Sequence, residues 1–276
     1  IGAAASLGFG LRANFGSSTK PFHVGVSCQN GVLVAQMVRK GLTASHAALD
    51  GAEGFLQLFA HLPYQEIHTE ALQALLGNPY SIAGDGFPQK VYPSCSSNHP
   101  SVGAMEVILQ KQNINPQNIA KIEAFMGIGP YRELVTPKAK NWTEARFSPG
   151  FHFALQLYQI PIVPDSFCDT IVQKEEIQHI IDVTEIYNDP YYDAYPEGTM
   201  GGARVQITLK DGTVYEGECL YPLGYKENPL SEAQLRQKFD TCCLTRLGAE
   251  KTEQLYTSLQ EIEKMPAIRE VLRSTL

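Results

Sequence analysis

Lys20 and His23 place an ammonium and an imidazole three residues apart, in a segment where a loop meets a predicted helix. The free backbone N–H groups at a helix start attract anions, and a lysine beside them adds to that attraction. A binding corner for a carboxylate is therefore one interpretation. The alternative is a solvated lysine next to a partly buried histidine.

A second lysine, Lys90, precedes the thiol of Cys95 on or just after a predicted strand edge and ahead of a turn. Loop residues that a rigid frame holds in place often form binding and catalytic sites. The alternative is a surface lysine near a buried structural cysteine. His99 follows at a predicted helix start, where a neutral imidazole could be a base, a cap or neither.

Arg146 and Phe151 lie at the entry to another predicted helix, in residues 144–152. A guanidinium group can hold a carboxylate through two parallel hydrogen bonds, so Arg146 is a candidate for substrate binding. A plain surface ion pair with Glu144 is the alternative.

Metal-binding patterns are weak in this sequence. Asp193, Tyr195 and Glu197 form an aromatic and acidic stretch, but their spacing matches no ligand set and favours an ordinary loop. The cysteines include no C-x-x-C pair, which argues against a zinc ribbon or an iron–sulfur cluster. We expect no metal, and reduced thiols in a cytoplasmic compartment, or in the mitochondrion of a eukaryote.

The composition indicates a folded globular protein of 276 residues, with 43% hydrophobic residues and a net charge of −7. This acidic balance argues against a nucleic-acid surface, because phosphate binding requires clustered lysine and arginine. No uncharged apolar run approaches the roughly 20 residues that span a bilayer. We therefore expect neither a nucleic acid nor a membrane as partner.

The elements that must position these residues fall into three stretches. Residues 1–78 look helical, with a helix at 21–40 whose apolar stripe is expected to be buried and which Gly41 ends at its C′ position. Residues 79–228 look mixed, and residues 229–276 are helical again, from a capping box at Ser231 and Gln234. The predicted fold class is α+β: a partial helical domain with an α+β lid domain inserted between its helices.

Within the mixed stretch, turn residues and β-branched runs predict strands at 89–92, 121–126, 203–209 and 213–219. The last two are joined by Lys210-Asp211-Gly212, a hairpin signal. Helices are predicted at 99–112, 144–158 and 174–186. In the C-terminal stretch, Gly248 and Pro266 separate predicted helices at 234–247, 249–263 and 267–272.

Taken together and in this order, these segments resemble the MmgE/PrpD family, which includes 2-methylcitrate dehydratase, cis-aconitate decarboxylase and iminodisuccinate epimerase. The resemblance covers nearly the whole chain. It rests on residues 11–31, on the second lysine segment at 87–95, and on a closing signature at 204–212, 222–231 and 235–239.

The resemblance implies an active site between the helical domain and the lid, no metal or organic cofactor, a small polycarboxylate substrate, a homodimer and a place in propionate metabolism. Lys20 and Lys90 match the family's two site lysines, and His23 lies in the same motif. Phe151 stands where the decarboxylase branch has a tyrosine, and Cys95 stands where that branch has a histidine. We therefore expect a hydro-lyase that dehydrates a 2-methylcitrate-like acid, with decarboxylation and epimerisation as alternative chemistry.

The family's first half, which contributes an acidic residue and histidines to the site, is not in this sequence, and the chain opens at Ile1 without an initiator methionine. We expect a fragment or a cleavage product. The competing hypothesis is therefore a non-catalytic subunit that needs a second chain to supply that half. It predicts exposed apolar helix faces in the isolated chain.

Overall fold

The computed structural model describes residues 1–60, 70, 74–80, 82–83, 87–194, 201–267, 269 and 271. The chain divides into two compact units, Ile1–Gly86 and Phe87–Leu276. The predicted return of residues 229–276 to the helical domain, and the predicted site between two domains, stay predictions. The predicted helix at 267–272 falls largely outside the described residues.

The first unit contains the helices Gly2–Ala5, Thr19–Arg39 and Phe55–Ala60 and a 3-10 turn at Arg12–Asn14. The long helix ends where the sequence predicts. Gly41 has a φ of +99°, its N–H donates to the Val38 carbonyl, and the Leu42 N–H donates to the Met37 carbonyl. These two bonds form the Schellman motif that a glycine at C′ makes possible.

The predicted burial of this helix's apolar stripe is wrong for the single chain. Val34 is the one buried residue of the helix. Of the predicted stripe, Phe22, Leu33 and Val38 are 65%, 45% and 49% exposed. The helical spacing is therefore real, but the described residues of the first unit leave most of the stripe exposed.

The second unit is built on a four-stranded sheet in the order β2-β1-β3-β4. The strands are β1 Ile119–Met126, β2 Thr184–Asn188, β3 Ala203–Leu209 and β4 Val214–Cys219. β1 pairs in parallel with β2 and antiparallel with β3, and β3 pairs antiparallel with β4. The sheet and the surrounding helices confirm the α+β fold class and three of the predicted strands.

The helix His99–Leu109 packs on β3 and β4, and the helix Pro149–Leu157 packs on both it and the helix Glu175–Val183. The core between them holds mostly aliphatic and aromatic side chains, among them Met105, Ile122, Phe153 and Ile180. Three short α-helices also belong to this unit, Ile128–Glu133, Trp142–Ala145 and Asp169–Val172, as does a 3-10 turn at Ser96–Asn98. Further 3-10 turns span Pro116–Asn118, Pro164–Ser166 and Pro190–Ala194.

Several element predictions in this unit need correction. Residues 89–92 form no strand, because the Tyr92 N–H donates to the His99 imidazole instead of to a neighbouring strand. The predicted helix at 144–158 is two helices, since Ser148 caps a new one with Pro149 in its first turn. The predicted helix at 174–186 ends at Val183, and β2 begins at Thr184.

The long C-terminal helix Glu232–Gln260 begins with the predicted capping box, in which the Ser231 side chain accepts from the Gln234 N–H. It kinks at Gly248, whose φ of 75° and ψ of 169° are not helical. The predicted break at this glycine is therefore confirmed. A 3-10 turn follows at Ile262–Lys264.

Among the described residues, no helix combines the length and the apolar character needed to cross a membrane.

Candidate functional site

Lys20 and His23 lie in the first turns of the helix Thr19–Arg39, and both are partly buried. The Lys20 ammonium lies 4.0 Å from the centre of the Phe15 ring, a cation–π distance. The imidazole of His23 lies against the backbone of Gly10, where an added Cβ would stand 2.8 Å from Nδ1. The first unit thus holds an oriented cation and an imidazole on one helix start.

In the second unit, Lys90 belongs to a loop that hydrogen bonds hold at several points. The Gln89 N–H donates to the Gly224 carbonyl at 2.8 Å, and the Lys90 ammonium donates to the Ser94 carbonyl at 2.9 Å. Lys90 itself is exposed. The fixed loop therefore presents a lysine side chain at the surface of the unit.

His99 holds this loop in place through contacts with its backbone. The side chain is 3% exposed; its Nε2 accepts from the Tyr92 N–H at 3.2 Å, and its Nδ1 lies 3.3 Å from the Cys95 carbonyl. Because Nε2 must accept, the proton belongs on Nδ1, and the ring is neutral. Burial, with the charges of Lys90 and Lys238 adding to it, lowers the pKa of His99 to about 4. Of the alternatives of a base, a cap or neither, these contacts favour neither, because the imidazole holds the backbone of the loop.

A cavity of about 370 Å³ opens beside this loop within the second unit. Lys90, Val91, Tyr92 and Pro93 line one side of it. The helix Glu232–Gln260 contributes polar side chains, including Lys238, and the remaining lining is largely apolar. The volume suits a small organic acid.

Cys95 is 7% exposed and begins a chain of hydrogen bonds. Its thiol lies 3.5 Å from the Ser97 hydroxyl, which donates to the Glu133 carboxylate at 2.6 Å. The Cys95 N–H donates to the Arg146 carbonyl at 2.9 Å. The thiol is therefore held by the protein, in agreement with the structural alternative considered for this residue.

Arg146 lies between aromatic rings, with its guanidinium carbon 5.1 Å from the centre of the Trp142 ring and 5.7 Å from that of Phe167. Burial lowers the pKa of Arg146, and its Nε has no hydrogen-bond partner among the described residues. The proposed ion pair with Glu144 is absent there; the Glu144 carboxylate accepts from the Lys140 N–H instead. Arg146 thus keeps donor capacity that an anion could use.

Phe151 is fully buried and packs on Phe167, with 5.3 Å between ring centres. The neighbouring His152, which the sequence-based search missed, is also fully buried. Its Nδ1 lies 2.8 Å from the Ser148 carbonyl, while Nε2 has no partner in the described part of the chain. Burial lowers the pKa of His152 to about 4. A histidine in an otherwise apolar helix was the available signal.

No cluster of three or more histidine, cysteine or acidic side chains within the described ranges could hold a metal ion. Asp193 accepts a hydrogen bond from the backbone of Ile128. Tyr195 and Glu197 lie outside the described residues.

The structure thus groups Cys95, Arg146 and Phe151 through direct contacts and through the ring of Phe167, and it places Lys90 on the adjoining loop. Lys20 and His23 belong to the first unit. Sequence reasoning missed Lys238, although its motif in the last helix was noted, because a lysine on an amphipathic helix is usually a solvated side chain.

Comparisons with known proteins agree with this division. The model of the MmgE/PrpD N-terminal domain matches residues 1–67, and that of the MmgE/PrpD C-terminal domain matches residues 92–262. Cis-aconitate decarboxylase of Mus musculus is 22% identical over 254 residues, which cover 92% of this chain and 51% of the mouse protein. The human protein of the same name is 21% identical over 253 residues, 92% of this chain and 52% of its own.

The chain therefore spans about half the length of the curated relatives that it matches. The C-terminal domain match alone covers more than half of the 276 residues and includes Cys95, Arg146 and Phe151. The chain belongs to the MmgE/PrpD family.

Proposed function

We propose that the chain is a lyase for a small di- or tricarboxylate and that it dehydrates a 2-methylcitrate-like substrate without a cofactor. The observation that carries this proposal is the cavity of about 370 Å³ in the second unit, which Lys90 lines. Family membership and the similarity to two proteins named cis-aconitate decarboxylase support a reaction of the lyase type.

In the proposed reaction a base removes a proton next to a carboxylate, and a general acid protonates the departing hydroxyl group. Proton removal leaves an aci-carboxylate with two negative charges. We assign the stabilisation of these charges to Lys20 and Lys90, the two lysines that match the family's site lysines, since cations placed near a developing negative charge stabilise it. His23 carries the proton, because an imidazole can both accept and donate one.

Phe151 favours dehydration over decarboxylation in this proposal. The family resemblance places a site tyrosine of the decarboxylase branch at this position, and a phenylalanine has no hydroxyl to donate. Its ring is fully buried against Phe167, so the position serves packing here. Decarboxylation and epimerisation remain the alternative chemistry, as they share a carbanion-like intermediate.

The first test is turnover of 2-methylcitrate, citrate and cis-aconitate in buffer with a chelator, followed by alkene absorbance and carbon dioxide release. We expect alkene formation from 2-methylcitrate that is lost in Lys20→Ala and in Lys90→Ala. Lys40→Ala and Lys111→Ala are matched controls, because both lysines are exposed and lie in the first and second unit respectively. Equal loss in the controls would contradict specific roles for Lys20 and Lys90.

A second candidate is a non-catalytic subunit that needs another polypeptide to supply the family's first half. The exposed apolar side chains of the helix Thr19–Arg39 favour it. No turnover from well-folded protein would contradict an autonomous enzyme. Turnover that appears only when a second polypeptide with the family's first half is co-expressed would establish this candidate.

A further inference from the structure

The charged side chains that line the cavity in the second unit are all positive. The chain as a whole carries 29 acidic and 22 basic residues. The described lining of the cavity contains two charged side chains, Lys90 and Lys238, and no carboxylate. Two lysines and no carboxylate in this lining give the cavity a positive local charge, which suits an anion.

Lys238 reaches the cavity from a polar face of the helix Glu232–Gln260. Gln234, Gln237, Lys238 and Thr241 all line the cavity. Their spacing of three and four residues places them on one side of the helix. This face offers amide, ammonium and hydroxyl donors to whatever occupies the cavity.

The ammonium of Lys238 has no ion-pair partner in the described part of the chain. The other basic side chain near this face, Arg236, binds Asp240 at 2.9 Å and Glu253 at 2.6 Å. Asp240 and Asp165 line a neighbouring surface hollow instead. The nearby acidic groups therefore leave the charge of Lys238 available to a ligand.

Both lysines act on the same buried group. The charges of Lys90 and Lys238 each contribute to the lowered pKa of His99, so both ammonium groups lie close enough to this imidazole to disfavour its protonation. The neutral ring offers the Lys238 ammonium no counter-charge, which an anion in the cavity would supply.

We propose that Lys238 is a ligand-binding residue that, with Lys90, holds a carboxylate group of a small di- or tricarboxylate in this cavity. The proposal rests on the proposed function for the class of ligand. Apolar side chains such as Ile162, Val163 and Leu230 line the remainder of the cavity and contact the carbon chain of the acid.

The test is calorimetric titration of the intact chain with tricarballylate, a tricarboxylate that has no hydroxyl group to eliminate. We expect Lys238→Met to weaken binding by about tenfold or more, a loss of about 1.4 kcal/mol. Lys238→Arg should retain most of the affinity, since it keeps the charge. Lys251→Met is the matched control, because Lys251 is exposed on the same helix and does not line the cavity.

A ligand series adds a second measurement. Wild-type protein should bind tricarballylate more tightly than succinate and succinate more tightly than acetate, and this dependence on ligand charge should flatten in Lys238→Met. Circular dichroism checks that each variant is folded.

The outcomes separate the two proposals. Affinity unchanged in Lys238→Met, or no binding of tricarballylate by wild-type protein, would overturn the role of Lys238. Binding that depends on Lys238 without turnover of any acid would uphold this inference and contradict the lyase. Turnover that survives in Lys238→Met with unchanged KM would uphold the lyase and overturn the inference.

Discussion

The two buried histidines of the second unit, His99 and His152, serve the fold through their neutral form. Each engages Nδ1 with a backbone carbonyl, of Cys95 and Ser148 respectively. Protonation would place a charge on an imidazole that is 3% exposed in one case and fully buried in the other. Such a charge is costly without a partner, so both rings link the stability of the unit to pH.

We predict that the free energy of unfolding decreases as the pH falls from 6.5 to 4. The pKa of each imidazole is about 4 in the folded chain, below its ordinary value near 6.5, so the unfolded chain binds protons first. The stabilisation is complete above pH 6.5 and is lost progressively down to pH 4. The loss amounts to about 3 kcal/mol for each ring.

Urea unfolding across this pH range measures the effect. His152→Phe removes one titrating ring from an aromatic environment and should reduce the slope, whereas His46→Gln should not, because His46 is exposed in the first unit. If the free energy of unfolding depends on pH equally in His152→Phe and in wild type, the lowered pKa of His152 is contradicted.

At the scale of elements, glycines permit the close packing of the sheet on the helix His99–Leu109. A Cβ added to Gly217 of β4 would overlap the Ala104 carbonyl oxygen of this helix, and it would lie 2.8 Å from the Ile108 side chain. On the helix side, a Cβ on Gly103 would lie 2.6 Å from the Cys219 sulfur. This packing matters for the candidate site, because the same helix begins with His99, which fixes the loop of Lys90.

We predict that Gly217→Ala destabilises the second unit by about 1–3 kcal/mol, because the added methyl group overpacks a backbone contact. Gly129→Ala is the matched control. It lies in the helix Ile128–Glu133, nothing lies within 4 Å of its added Cβ, and a change from glycine to alanine in a helix is neutral or stabilising. Thermal unfolding of both variants measures the difference, and equal melting temperatures would contradict it.

Local sequence signals predicted those elements whose causes are themselves local. Gly41, the hairpin at Lys210-Asp211-Gly212 and the capping box at Ser231 all act within a few residues, and the structure confirms each. The strand β2 was missed because it follows a helix without a break and is defined by its parallel pairing with β1. Residues 89–92 look like a strand in sequence, but the Tyr92 N–H donates to the imidazole of His99. Only the tertiary structure shows this bond.

The candidate site follows the same rule. Arg146 and Cys95 were found from their motifs, but their contact through a backbone hydrogen bond joins segments about 50 residues apart in sequence. His152 and Lys238 became visible only through burial and through the cavity. The residues alone made Lys20 and Lys90 candidates but favoured a solvated or surface lysine at each position, and the family resemblance is what favoured a role in a site.

At the scale of the whole molecule, the first unit differs from the second in how it covers its apolar side chains. The helix Thr19–Arg39 has apolar residues on more than one face, yet a helix of this type is normally buried among others. The second unit, by contrast, buries large side chains such as Phe153, Met105 and Ile207 completely. We therefore expect the exposed side chains of this helix to act as an interaction surface.

We predict that the isolated chain associates with itself as its concentration rises and that it binds a hydrophobic dye. Both processes bury Phe22, Val24 and Val32, and the free energy gained is about 25 cal/mol for each Å² of apolar surface removed from water. Light scattering and dye fluorescence measure the two effects. Both should fall in a triple variant, Phe22→Ser with Val24→Ser and Val32→Ser. Val214→Ser should change neither, because this 49% exposed side chain belongs to a strand of the second unit. A wild-type chain that stays monomeric and leaves the dye fluorescence unchanged would contradict an exposed apolar face and remove the main support for the proposal of a second polypeptide.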